Sequence, residues 1–385
     1  MLIQVVSKQM EYKMEFNAVT LASNIVDSLR ESTDASLSNC IVGAQETCLW
    51  LKQHVKSDEL DEVINALERQ EIDWLNCKDA RDLNTLSTFI SQLCAEKEEL
   101  SSFAQDVSPD LIEKVNAFCG ILTKTHPKVV DHALKDMTVA KGLCEVLIKE
   151  QSEQVARSLA EGLTVLCHHS KSAAAFLVES PLLMNVASRL ENSRAGNLSD
   201  YHISLLNLIP NVMSSDYPPP IDIIQYLNKN LCPKLWGLAS SGYNSALTTL
   251  SQIYRWRIDG IEEEEGVIQS LQHDPNPSIG AKLAEMILRN PDQYKFELLE
   301  GIFVTNKELI NFIFYENDLL VFMHICCDHL LNEDDVAVQR SILKLFIAAG
   351  KNELTDTQTF MAVNGCDLRE ELVGLRQDAL NAMRN

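Results

Sequence analysis

Apolar residues recur at steps of three and four along nearly the whole chain, and no stretch alternates apolar and polar residues for more than a few positions. Steps of three and four put side chains on one face of an α-helix, whereas a half-buried strand needs a period of two. Val19, Ala22, Val26 and Leu29 form one such stripe, and Leu60, Val63, Ile64 and Leu67 another. No Asn-Gly hairpin joins alternating stretches, so nothing argues for a sheet. The chain is expected to be all-α, with around eighteen short helices joined by connections of two to ten residues.

Start signals punctuate these helices. Ser57-Asp58-Glu59 offers a capping oxygen, and Ser108-Pro109-Asp110 and Ser180-Pro181 place Ser before a first-turn proline. Pro210 falls late in a helical run and is expected to kink or break it. Two polar stretches, Glu191 to Asp200 (with Gly196) and Ser214 to Pro220, read as the longest exposed loops. Between Asp274 and Asn317 three helices fit into about 43 residues, within the armadillo and HEAT repeat period of roughly 40–47. The resulting expectation is an irregular armadillo/HEAT-like helical-repeat superhelix. Residues 1–15 would be an N-terminal arm and 16–385 a single armadillo-like helical domain, weakest at the two loops.

The most specific stretch is Phe314-Tyr315-Glu316-Asn317-Asp318-Leu319. Phe314 and Tyr315 close one apolar run. Asn317 or Asp318 then stands before another, made of Leu319, Phe322, Met323, Cys326 and Leu330. Asn and Asp are favoured N-caps because the side-chain oxygen accepts from an orphan first-turn N–H, an interaction whose loss costs about 1 kcal/mol. The stretch therefore reads as helix, tight corner and buried helix, with two aromatic plugs and a role in the core.

Charge and cysteine usage bound the function. Lys and Arg number 33 against 55 Asp and Glu, a formal net charge of −22. Such a surface repels phosphate backbones, so nucleic acid is not the expected partner and basic protein surfaces are. The 11 cysteines lie within helical runs, where Cys packs as a small hydrophobe. Their odd count and the lack of a leader-like start point to a reducing compartment. No segment carries about 18 unbroken apolar residues, so no membrane insertion is expected. The sequon Asn197-Leu198-Ser199 is then without consequence.

Candidate chemistry is sparse. His324-Ile325-Cys326-Cys327-Asp328-His329 puts His324 and Asp328 one turn apart, but zinc-type Cys-x2-Cys and His-Glu-x-x-His spacings are absent. Cys167-His168-His169 closes a helix, where the dipole favours His. Glu262 to Glu265 precedes a helix and suits its positive end. Pro218-Pro219-Pro220 reads as a stiff connector. Arg255-Trp256-Arg257 is a basic aromatic cluster in an acidic chain, either a contact hot spot or a packed Trp with solvated flanks. No nucleophile elbow, phosphate-binding glycine loop or dinucleotide fingerprint occurs, and neither enzyme activity nor a metal or other cofactor is expected.

The segment around Phe314, Tyr315, Asn317, Asp318 and Leu319 resembles the leucine-rich, armadillo-like domain of NCK-interacting protein with SH3 domain and its fungal actin-patch relatives. An acidic turn, Asn332 to Asp335, and a helix with Arg340, Ile342 and Leu343 follow as in that family. Ile279-Gly280 to Asn290 and Phe296 to Phe303 look like its preceding helices. The resemblance covers 279–350. It departs at His324, where an acid is usual, and at Leu206-Asn207, all that stands for a longer Leu-Asn-Glu-Gln run. The resemblance implies binding and activation of the actin-related protein 2/3 complex, and indirectly of actin, to seed linear filaments at the cytoplasmic cortex without a mother filament. A homodimer is compatible with it. The competing expectation is a general armadillo adaptor for an extended peptide, in transport or chaperone work.

Overall fold

The computed structural model describes residues 16–99, 107–193, 198–257 and 266–384. The expected arm 1–15, the weak apolar segment near Leu100 and Phe103, Gly196 and the run Glu262 to Glu265 lie outside them. Every regular element among the described residues is helical. The packing divides into two compact units, meeting at Leu177 and Val178. This boundary lies upstream of the two loops where the sequence places its weakest points.

The first unit opens with three helices packed on one another: α1 (Ala18–Ser32), α2 (Leu37–Lys52) and α3 (Asp58–Glu68). Asn17, Ser36 and Ser57 cap them, accepting from the N–H groups of Thr20, Asn39 and Leu60 at 3.0, 3.3 and 3.3 Å. Then come α4 (Lys78–Glu99), α5 (Ser108–Leu122), the short α6 (Pro127–Ala133), α7 (Thr138–Lys149), α8 (Glu153–His169) and α9 (Lys171–Val178). Here α4 packs on α7 and α5 on α8, so each helix meets the third one along. A buried ion pair ties α1 to α4: Arg30 Nε lies 2.9 Å from Asp79 Oδ1. Thr125, just after α5, donates to Asp79 Oδ2 at 3.3 Å.

The second unit runs through α10 (Leu182–Glu191), α11 (Asp200–Val212), α12 (Ile221–Tyr226), α13 (Cys232–Ser240), α14 (Asn244–Arg255), α15 (Val267–His273), α16 (Ile279–Arg289) and α17 (Gln293–Thr305). It ends with α18 (Lys307–Ile313), α19 (Glu316–Asn332), α20 (Val336–Lys351), α21 (Thr357–Gly365) and α22 (Val373–Met383). A wide π-turn, Leu227–Leu231, links α12 to α13. The order is a triplet whose first member is short (α12, α15 and α18); its second members are called middle helices and its third members long helices, although α19, with 17 residues, exceeds α20, with 16. Long helices stack in one ladder, α11–α14–α17–α20–α22, and middle helices in another, α13–α16–α19–α21. Within this unit the long helices start at Asp200, Asn244, Gln293 and Val336, between 43 and 49 residues apart. The turn from short α18 into α19 is 99°. Triplets of this length with stacked third helices make the chain an all-α, armadillo-like helical-repeat protein.

Several boundaries differ from those read in the sequence. Ser108 is not a cap: Val107 takes that position, and the buried Ser108 hydroxyl instead accepts from Lys97 Nζ at 2.6 Å. At the other Ser-Pro start, Pro181 holds the cap position. The helix holding Pro210 continues to Val212 without a break. Two helices, α9 and α21, escape pattern reading. In α21 only Thr359 and Val363 are buried, too few to draw a stripe, and its start depends on Asp356 accepting from Thr359 N–H at 2.7 Å. In α9 the sequence Ala173-Ala174-Ala175 blurs the apolar period, and Ser170 accepts from Ala173 N–H at 3.2 Å.

Candidate protein-binding face

The corner between α18 and α19 is built from the inside outward. Asn306 starts α18 by accepting from Leu309 N–H at 2.7 Å. Ile310 and Ile313 turn inward, and Phe314 follows in extended conformation, only 3 % exposed. Its ring lies 5.2 Å from that of Phe322 and 6.1 Å from that of Phe303, between centroids. On its other side is Gly280 of α16, where an added Cβ would fall 2.7 Å from Phe314 Cδ1. No residue with a side chain fits that approach without movement. Leu319 is buried one turn into α19. Phe314 and Leu319 are thus core residues, as the sequence predicts.

The other half of the motif behaves differently, and two expectations are corrected. First, neither Asn317 nor Asp318 caps α19. The helix starts at Glu316, its cap position is Tyr315, and no side chain accepts from the first-turn N–H groups. Extended Phe314 and Tyr315 turn the chain so early that both polar residues fall inside the first turn. There Glu316 and Asp318 meet the positive helix end. Second, Tyr315 is not a plug: it is 69 % exposed. The side chains of Tyr315, Asn317 and Asp318 project into solvent and have no hydrogen-bond or ion-pair partner among the described residues.

The cluster Arg255, Trp256 and Arg257 lies at the end of α14 and is largely occupied within the fold. The Arg255 guanidinium sits 4.3 Å from the Trp256 ring centre and 4.2 Å from that of Tyr294 on α17. Only 13 % of its side chain is exposed, and Asp216 lies 4.0 Å away. Trp256 is half-buried, its Nε1 donating to the Met213 carbonyl at 3.5 Å. Arg257 is the exposed member, 4.3 Å over Tyr254 and 3.8 Å from Glu297.

These contacts form a seam along the long-helix ladder. The Tyr254 ring reaches α17 where only Gly301 leaves room, since a Cβ there would fall 2.6 Å from Tyr254 Cζ. Beside it, burial lifts the Glu300 carboxyl above the usual carboxylate range. Lys344 of α20 and Arg257 oppose the lift, and Glu297 adds to it. The seam offers aromatic faces and charges of both signs on adjacent ladder helices.

The remaining candidates are dispersed. His324 Nε2 pairs with Asp356 Oδ2 at 3.2 Å, linking α19 to α21. Cys326 and Cys327 are buried and Asp328 is exposed. Among the described residues no group of three or more His, Cys, Asp or Glu is arranged to hold a metal ion. His168 and His169 stack edge to face at the end of α8, 5.1 Å apart. Of the proline run, Pro219 is buried and Tyr217 exposed. Among the described residues no single helix is long and apolar enough to cross a membrane.

Stacked helix triplets with partly exposed aromatic and charged ladder faces place the chain in the armadillo-like class of helical-repeat folds. No protein-family model matches the chain, and no curated protein matches it. Solved structures do. SYS-1 has 13% identity and a TM-score of 0.41 over 90% of this chain and 63% of its own. An engineered protein has 17% identity and a TM-score of 0.39 over 64% of this chain and 98% of its own. A designed armadillo repeat protein in complex with the peptide (KR)4 has 13% identity and a TM-score of 0.29 over 76% and 99%.

Proposed function

We infer that the chain is a non-enzymatic scaffold that binds the actin-related protein 2/3 complex and switches it on, so that linear actin filaments are seeded without a mother filament. The observation that carries this reading is the corner at Phe314 to Leu319. This corner, between α18 and α19, is the segment on which the family resemblance rests, and it supports the reading in that sense. The acidic turn Asn332 to Asp335 follows α19, and Asp335 caps α20 by accepting from Ala337 N–H at 2.7 Å. Activation then needs no catalytic group. A stiff body that binds the active arrangement of a complex more tightly than the inactive one shifts its population by that difference in affinity. The site of action is the cytoplasmic actin cortex.

The test is pyrene-actin assembly with purified chain, actin monomers and the complex, without any other nucleation-promoting factor. Shortened lag and co-sedimentation with the complex are expected. Neither effect at micromolar chain would reject the reading. A second reading, an adaptor for an extended peptide, is favoured by the seam of Tyr254, Arg255, Tyr294, Glu297 and Lys344 on adjacent ladder helices. A chain inert toward actin that still captures a peptide at that seam would support it.

A further inference from the structure

We propose that the outward half of the α18–α19 corner is the docking surface for a basic protein segment, with Phe312 and Tyr315 as anchors and Glu308, Glu316 and Asp318 as its charged rim. The proposal rests on the activator reading above and names the face that reading leaves open.

Phe312 and Tyr315 are 52 % and 69 % exposed, three residues apart across the bend. Large apolar and aromatic groups left in water cost free energy that burial in a partner would recover. Neither ring takes part in any internal stacking or hydrogen bond, and the same holds for Glu316, Asn317 and Asp318 among the described residues. The inner half of the corner is locked: Phe314 is wedged between Gly280 and Phe322. The two rings thus stand on a packed inner face, which lowers the ordering cost of binding them.

The charge around the rings selects the occupant. Glu308, Glu316 and Asp318 are exposed. The one cation of α18, Lys307, is engaged by Glu353 at 3.0 Å. An aromatic pair with three free carboxylates fits Arg or Lys side chains that lie over a ring while their charge meets an acid. The chain makes this arrangement internally, where Arg255 sits between Trp256 and Tyr294 near Asp216. At the corner the exposed rings and acids have no cation paired with them among the described residues, since Lys307 is engaged by Glu353, so the partner supplies it.

The experiment compares wild type with Phe312→Ala/Tyr315→Ala and with Glu316→Lys/Asp318→Lys, all as the full chain. Each is assayed for co-sedimentation with the actin-related protein 2/3 complex at low and moderate salt, and for pyrene-actin assembly. Thermal melting controls for folding, and these exposed positions should leave the melt unchanged. The aromatic double variant is expected to bind roughly tenfold or more weakly. The charge-reversal variant should bind weakly at low salt and lose the salt dependence that wild type shows. Wild-type binding by both folded variants would overturn this surface and leave the activator reading standing. A wild-type chain inert toward the complex would overturn both.

Discussion

Gly280 and Phe314 touch so closely that no side chain fits between them: a Cβ on Gly280 would fall 2.7 and 2.9 Å from two atoms of the Phe314 ring. Together with the Ile313 carbonyl, this contact holds the corner before α19 against α16, on which α19 packs. Gly280→Ala must push the ring or the helix aside and is expected to cost about 1–3 kcal/mol. Phe314→Ala should cost about 3–5 kcal/mol, because the ring is buried against Phe303 and Phe322. Chemical denaturation reads both. An unchanged midpoint for Gly280→Ala would mean the helices do not approach this closely in solution.

Asn317→Ala and Asp318→Ala distinguish the cap expected from sequence from the first turn seen in the structure. A cap would cost about 1 kcal/mol on removal. Asn317, exposed and without a side-chain partner, should change stability by about 0.5 kcal/mol or less, whereas Asp318→Ala removes its attraction to the helix end at a cost of about 0.3–1 kcal/mol. Urea unfolding of Asn317→Ala decides, and a loss of about 1 kcal/mol for that variant would restore the cap.

Asp79→Ala should be among the most damaging substitutions in the first unit. It leaves the Arg30 guanidinium buried without its carboxylate, at a cost of about 3–5 kcal/mol. Burial lifts the Asp79 carboxyl above its ordinary value although Arg30 pulls it down, so desolvation outweighs the pair's attraction. Replacing both partners, as Arg30→Met/Asp79→Leu, should therefore cost far less than Asp79→Ala alone. Thermal melts of both variants check the order, and equal losses would refute it.

Asp356 gives a pH dependence of definite sign. Burial raises its carboxyl, but hydrogen bonds from Thr359 and the contact with His324 outweigh this and hold it below the usual 3.8. A depressed folded value means the unfolded chain binds the proton first as pH falls. The stabilisation is therefore complete well above pH 3.8 and disappears as pH drops below it. Asp356→Ala should lower the melting temperature at pH 7, and the gap to wild type should shrink toward pH 3. A gap that widens on acidification would reverse the sign.

The buried thiols should be unreactive in the folded chain. All 11 cysteines are free and all but Cys119 are buried. Burial pushes the thiols of Cys94 and Cys167 up to about 12, which suppresses the thiolate that reacts. Ellman's reagent should label these sites slowly in native protein and completely in guanidinium. Rapid native labelling of either would show that its helix is loosely packed.

The sequence by itself determined the helices. Spacing of three and four, with Asn, Asp or Ser ahead of a run, located α3, α16, α17 and α20 to within a few residues, because apolar periodicity and capping act within one or two turns of the chain. The same spacing singled out Phe314 and Leu319 as core. It missed α21, whose inward face is Thr359 and Val363 only, and gave Tyr315, Asn317 and Asp318 a buried or capping role they do not have. Those outcomes were decided by tertiary structure. Where α19 begins follows from Phe314 being held extended against Gly280, a residue 34 positions away, and local pattern contains no term for such a contact. The pairing of Arg255 with Tyr294 across α14 and α17, and the stacking of long helices into a ladder, likewise depend on approach between helices distant in sequence, which only the folded packing fixes.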